Sequence, residues 1–166
     1  MAEPLHEAPP FSLPDEAGNT VTLKGYRGSW VLIFFYPREF SLVCTREVCS
    51  LRDSLSQFRQ RRVHLLGVSL SPPERRRRFS QVHQLPFPLL WDKTRQVARQ
   101  YGVLGFGGWY CRRSYFLVDP QGRIAWRHIE RFQFRQRSTG ELLEAIDLAQ
   151  LDQPPLPPQP KRRPQT

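Results

Sequence analysis

Residues 30–53 read WVLIFFYPREFSLVCTREVCSLRD, and the fold turns on how this stretch is parsed. Trp30 to Tyr36 is a continuous apolar run rich in β-formers. Such a run predicts a strand buried on both faces, as in a parallel or mixed sheet. Pro37 ends it. From about Val43 to Gln60 the period changes: Val43, Val48, Leu51, Leu55 and Phe58 fall mostly three or four apart, which predicts a helix.

Working outward, the same two periods alternate. Phe11 to Leu13, a turn around Asp15 to Asn19, and Val21 to Leu23 read as a short hairpin. Val63 to Ser69 (VHLLGVS) is a second buried strand. Pro72-Pro73-Glu74 opens a helix continued by Arg75 to His83, since proline is tolerated in a first turn. Phe87 to Leu90 reads as a strand and Thr94 to Tyr101 as a helix stopped by Gly102. Arg113 to Val118 and Ile124 to Ile129 flank Asp119-Pro120-Gln121-Gly122, a hairpin turn. Thr139 to Leu151 closes the pattern as an amphipathic helix with Leu142, Leu143, Ile146 and Ala149 inward. Helices alternating with buried strands make an α/β domain over residues 9–151, after a loose N-terminus (1–8). Residues 152–166, proline-rich and basic, are too poor in bulky apolar groups to pack and read as a disordered basic tail. Leu156 to Arg162 also fits a polyproline ligand pattern, but the disordered reading is preferred.

At 166 residues the chain can bury a core without disulfide staples. MAEPLHEAPPF has neither a basic nor an apolar leader region, so no signal peptide is expected. The longest apolar run, Trp30 to Tyr36, is far too short to span a bilayer. With only three cysteines, a soluble, cytoplasmic, reducing setting is expected. The formal charge of +10 invites a nucleic-acid partner, yet its arginines are scattered and no nucleic-acid motif accompanies them. A solvated basic surface is the expectation, without a specific nucleic-acid site. No metal centre or cofactor is indicated: His6, His64, His83 and His128 never pair with cysteine at ligand spacing.

The chemistry concentrates on Cys44 and Cys49. Five residues along a regular helix correspond to about 7.5 Å of rise and about 500° of rotation, leaving the Cα atoms roughly 8–9 Å apart. A disulfide needs them within about 7 Å with converging Cβ vectors. The pair therefore cannot bond while the helix is intact. Cys44 falls at the helix start, where free N–H groups and the dipole favour an anion, so it is the expected nucleophile of the two.

Pro37, Ser41 and Cys44 together spell Pro-x-x-x-Ser-x-x-Cys after a buried strand, and here the chain closely resembles a peroxiredoxin. The following CTREVC and LRD point to the peroxiredoxin Q or bacterioferritin comigratory protein branch. APPFSLPDEAGNTVTL, FPLLWDKTRQVARQYGV and RRSYFLVDPQGRI extend the resemblance from about Ala8 to Leu148. It implies a thioredoxin-like fold, a central mixed sheet flanked by helices, and an antioxidant peroxidase acting on hydrogen peroxide and organic hydroperoxides. Cys44 would be the peroxidatic cysteine, becoming a sulfenic acid, and Cys49 the resolving cysteine. The resulting intramolecular disulfide would be reopened by thioredoxin or a similar reductant, permitting a monomer or weak dimer. Ser41 would hydrogen-bond thiolate and peroxide, Pro37 would shield the thiolate from water, and Arg113 matches the family's active-site arginine.

Two departures stand out. Leu42-Val43 replaces the family's usual Pro-Gly, and valine resists conformations that glycine tolerates, so a retained but retuned loop is expected. Cys111 lies outside the branch pattern; two residues from Arg113, it would share that residue's side of a strand and could serve as an alternative resolving thiol, a passive cysteine being preferred. The rival from another class is a non-catalytic, peroxiredoxin-like binding protein using its basic surface.

Thiol acidity alone does not make a peroxidase. Lowering a thiol pKa from about 8.5 to about 6 raises the thiolate fraction at pH 7 about thirtyfold. A nucleophilicity slope of about 0.4–0.5 then returns a factor of roughly 10 to 18. Groups that orient the peroxide and stabilise the departing oxygen must supply the rest.

Overall fold

The structure is a computed structural model, described over residues 5–132 and 135–153. The expected basic tail therefore lies almost wholly outside the described residues. In chain order the elements are β1 (Ser12–Pro14), β2 (Thr20–Thr22), β3 (Trp30–Phe35), α1 (Leu42–Asp53), α2 (Leu55–Gln60) and β4 (Val63–Ser69). Then come α3 (Pro73–His83), β5 (Leu89–Trp91), α4 (Gln96–Gln100), β6 (Ser114–Val118), β7 (Ile124–Ile129) and α5 (Thr139–Leu151).

Five strands form one mixed sheet in the order β5-β4-β3-β6-β7. β3, β4 and β5 run parallel, while β6 is antiparallel to both β3 and β7. All six residues of β3 are buried because the strand is central and covered on both faces. Leu32 and Phe34 point to one face, where Val48 and Leu51 of α1, Phe79 of α3 and Leu142 and Ile146 of α5 pack. Val31, Ile33 and Phe35 point to the other, against Val97 and Ala98 of α4 and Phe11 and Leu13 of the β1–β2 hairpin. The expected α/β architecture, a central mixed sheet flanked by helices, is what forms.

Three local expectations differ. The single helix read over 43–60 is two, broken at Ser54 (φ −103°, ψ 10°). Asp53 and Ser54, whose short polar side chains compete for backbone bonds, interrupt a periodicity that apolar spacing alone carried through. β5 lies nearer the C-terminus than read: Pro88 has no N–H for the ladder, though its carbonyl accepts from Gly67 at 3.0 Å. Residues 6–8, read as loose, engage the β6–β7 turn: Ala8 N–H donates to Gly122 at 2.9 Å and Ile124 N–H to His6 at 2.8 Å. Ala8 is buried there, so pairing and burial hold a segment whose prolines suggested neither.

Candidate active site

Ser41, Cys44 and Arg113 meet beyond the carboxyl end of β3, where open α/β sheets place their sites. Pro37 ends the strand and the chain turns through Arg38 to Phe40. Phe40 carries a positive φ of 61°, which reverses the direction into α1. Ser41 then caps the helix, its Oγ accepting the Cys44 N–H at 3.2 Å. Cys44 thus occupies the third helical position, in the first turn, where backbone N–H groups have no carbonyl to meet within the helix. Leu42 and Val43 lie inside α1 with no positive φ, so the unusual pair meets no need for glycine. The strained residue is Phe40, and its ring is held edge-on to Phe79 with centroids 5.0 Å apart.

Sheet register brings the arginine in. Phe35 pairs with Ser114, so Arg113, one residue before β6, stands beside Tyr36 at the end of β3. Residues two apart on a strand share a face, and Tyr115 packs in the same core cluster as Cys44 and Val48. Arg113 accordingly points under the start of α1. Its Nη2 donates to Cys44 Sγ at 2.9 Å and its Nη1 to Glu47 Oε1 at 3.1 Å. The Tyr115 hydroxyl donates to the other Glu47 oxygen and accepts the Arg137 N–H at 3.1 Å. Cys44 is fully buried, and Arg113 and Glu47 are 1% and 2% exposed.

This is a closed charge arrangement. Burial raises the Glu47 carboxyl above its ordinary range, against the opposing pull of Arg113 and Tyr115. For Arg113, burial favours the neutral form, but Glu47 and Cys44 outweigh it and raise the guanidinium further. Arg113 is thus a permanently charged donor aimed at sulfur from one side, with the helix start on the other. A sulfur anion is stabilised by both, and so is charge appearing on an oxygen bonded to that sulfur.

The remaining expected site residues separate. Pro37 is half-buried and, with Arg38, Ser71, Arg75, Trp109 and Tyr110, lines a cleft of about 470 Å³. A larger cleft of about 580 Å³ lies at the opposite, Val63 end of β4 and is lined by no cysteine. Cys49 stays on the same unbroken helix as Cys44 and all three cysteines are free, in keeping with the spacing argument. Cys111 does not share the side of Arg113. It precedes β6, forms an isolated bridge with Leu104, and packs in the cluster on the far face of the sheet from Cys44. Its thiol donates to the Tyr36 carbonyl at 3.0 Å, and burial pushes its pKa far up, followed by the influence of Cys44. Strand alternation could not be extended backward from Arg113 because the strand begins only at Ser114.

Sequence reasoning missed Glu47, Tyr115, Glu39 and His83. Glu47 had a legible signal, since it follows Cys44 by three on the face that also carries Val48 and Leu51. Glu39 is fully buried and accepts from Tyr36 at 2.9 Å and Ser69 at 2.7 Å, a convergence only the sheet creates.

The buried phenols carry a pH prediction. Burial is the largest cause raising Tyr36, Tyr101 and Tyr115, and Glu39 and Glu47 add to it at the first and last. In the unfolded chain tyrosine ionises near pH 10. A raised folded-state pKa contributes stability that is complete below that value and is lost as pH climbs toward the folded pKa. Thermal melts should therefore show a stability decline beginning at about pH 10, smaller in Tyr101→Phe, whose hydroxyl donates only to the Pro9 carbonyl at 2.8 Å.

Residues 4–127 match the AhpC/TSA family model. Peroxiredoxin Bcp of Escherichia coli K12 is 40% identical over 123 residues, covering 70% of this chain and 79% of that protein. Peroxiredoxin Bcp of Bacillus subtilis is 35% identical over 132 residues, covering 75% of this chain and 84% of that one. Among solved structures, peroxidoxin BcpB of Mycobacterium tuberculosis superposes with a TM-score of 0.78 at 25% identity, over 93% of this chain and all of that one. A reduced 2-Cys peroxiredoxin of Plasmodium vivax gives 0.81 at 27% identity, over 88% and 95%. A thiol held between a helix start and a buried arginine, on the fold and sequence of these relatives, places the chain in the AhpC/TSA family, as a thiol peroxidase of the Bcp group of peroxiredoxins.

Proposed function

We propose that the chain reduces hydrogen peroxide and organic hydroperoxides at Cys44 and is recycled through a Cys44–Cys49 disulfide by a thioredoxin-type dithiol. The observation that carries this reading is the Arg113 Nη2 contact on Cys44 Sγ at 2.9 Å. The Cys44 thiolate attacks one peroxide oxygen; the O–O bond breaks, sulfur becomes sulfenic acid, and the departing alkoxide or hydroxide takes up the equivalent of the proton the thiol lost on ionising, leaving as alcohol or water. Arg113 stabilises the negative charge as it passes from sulfur to oxygen. Ser41 Oγ accepts from Cys44 N–H, which leaves its own O–H free in geometry to donate to a peroxide oxygen. The first-turn N–H of Val43 supplies a further donor. Pro37 lines the cleft beside Arg38 and Tyr110 and has no N–H to hold water there.

Resolution follows from helix geometry. Cys49 sits about 8–9 Å from Cys44 along α1, so the first turns must unwind before sulfur meets sulfur. Such openings at helix ends lie at the low-energy end of local unfolding. Unwinding also carries the disulfide outward to its reductant, in competition with over-oxidation of the sulfenic acid.

The test is turnover of hydrogen peroxide and an alkyl hydroperoxide by wild type, Cys44→Ser, Cys49→Ser and Cys111→Ser with thioredoxin as reductant. Cys44→Ser should be inactive, and Cys49→Ser should consume about one equivalent of peroxide and then lose thioredoxin-supported turnover. Cys111→Ser should match wild type, because its thiol lies on the other face of the sheet. A wild type that consumes no peroxide would return the reading to a basic-surface binding protein.

A further inference from the structure

We propose that His83 is the proton acceptor for Cys49 during resolution, so that the second cysteine is a Cys–His dyad and not an isolated thiol. The inference rests on the reading of Cys49 as the resolving cysteine.

His83 Nδ1 lies 3.6 Å from Cys49 Sγ, within reach of a sulfur hydrogen bond. The ring is held on several sides. Phe79 meets it edge-on at 4.9 Å and Phe40 lies tilted beside it at 6.2 Å between centroids, while Arg52 Nη1 donates to the His83 backbone carbonyl at 2.6 Å and ties the end of α3 to α1. An imidazole in the last turn of α3 is thus oriented toward a half-buried thiol on α1 by contacts from both helices and from the Pro37–Ser41 loop. Nothing in peroxide reduction at Cys44 uses it.

A cation of α1 lies beside the pair. Arg52 donates to the His83 backbone carbonyl and interacts electrostatically with Cys49. Asp53 is engaged by Arg52 Nε at 3.0 Å. Arg75 and Arg78 stand about 6.0 and 5.9 Å from the centre of the Phe40 ring that touches His83. Arg75 is turned to Glu39, its Nη2 donating to the Glu39 carbonyl at 2.9 Å and its Nε lying 3.7 Å from the carboxylate.

The step balances without further reagents. The Cys49 proton passes to His83 Nδ1. The thiolate, released as α1 unwinds, attacks the sulfur of the Cys44 sulfenic acid; an S–S bond forms and the S–O bond breaks. Hydroxide departs and takes up one proton, so the proton removed from Cys49 is returned overall as water. Cys49 is oxidised and the sulfenic sulfur is reduced. Phe40 belongs to the loop that leads into Cys44 and also lies beside the His83 ring.

The experiment mixes reduced protein with one equivalent of hydrogen peroxide and follows disulfide formation by rapid quench and mass analysis from pH 6 to 9. The variants are His83→Phe, which keeps a ring beside Phe79, and His83→Asn, which keeps a polar group near the Nδ1 position but cannot carry the proton. Both should slow disulfide formation by about tenfold or more near pH 6.5. The deficit should close toward pH 9, where a thiol ionises unaided. An equal slowing at every pH would mark packing alone and overturn the proposal, as would unchanged rates or a wild-type profile in His83→Asn. Wild type that accumulates a trappable Cys44 sulfenic acid and no Cys44–Cys49 disulfide would instead bring down the resolving role of Cys49, and the dyad with it.

Discussion

Arg113→Lys is expected to lower the rate of Cys44 oxidation by peroxide about a hundredfold or more while leaving the thiolate fraction changed by only a few-fold. The guanidinium serves two partners at once, Nη2 on Cys44 Sγ and Nη1 on Glu47 Oε1, from a single plane. A lysine ammonium is a point charge on a different stem and cannot hold that fork. It retains most of the electrostatic pull that favours thiolate, and it retains a partner for Glu47. What it loses is the donor that follows charge from sulfur to the departing oxygen. Stopped-flow oxidation rates, measured beside a spectroscopic thiol titration, separate the two effects. Parallel falls in rate and thiolate fraction would show that Arg113 acts only on acidity.

Glu47→Ala should be the most destabilising single change at the site, by about 3–5 kcal/mol in urea unfolding. It removes the carboxylate while leaving Arg113, 1% exposed, in the interior beside Cys44. It also strips the Tyr115 hydroxyl of its acceptor, leaving that hydroxyl with the Arg137 N–H. Activity should fall as well, because Arg113 loses the contact that orients Nη2 toward sulfur. Glu47→Gln, which keeps a carbonyl oxygen for one of the two donors, should recover part of the stability and less of the rate. An alanine variant as stable as wild type would mean that water or a shifted side chain compensates the buried cation.

Much of the molecule was legible along the chain. The run Trp30 to Tyr36 marked the central strand because burial on both faces removes alternation. The spacing of Cys44 and Cys49 implied two thiols kept apart, since α-helical geometry is the same wherever the helix lies. The family resemblance gives Ser41 a bond to thiolate and peroxide, whereas the bond the structure shows is from the Cys44 backbone N–H to its Oγ. Errors arose where periodicity met short polar residues or proline, as at Ser54 and Pro88, because apolar spacing carries no information about backbone competition.

The identity of the strands, the helical start at Cys44 and the separation of the cysteines follow from local rules: burial pattern, capping and helical rise act over a few residues and can be read in order. The pairing of Arg113 with Glu47, the exile of Cys111 to the far face and the approach of His83 to Cys49 join positions 66, 75 and 34 residues apart, and they exist only through register and packing. Phe35 opposite Ser114 decides where Arg113 points, and the seat of α3 against α1 decides what His83 touches. No local propensity encodes those choices, because each is the outcome of many weak contacts settled together when the sheet and its helices close.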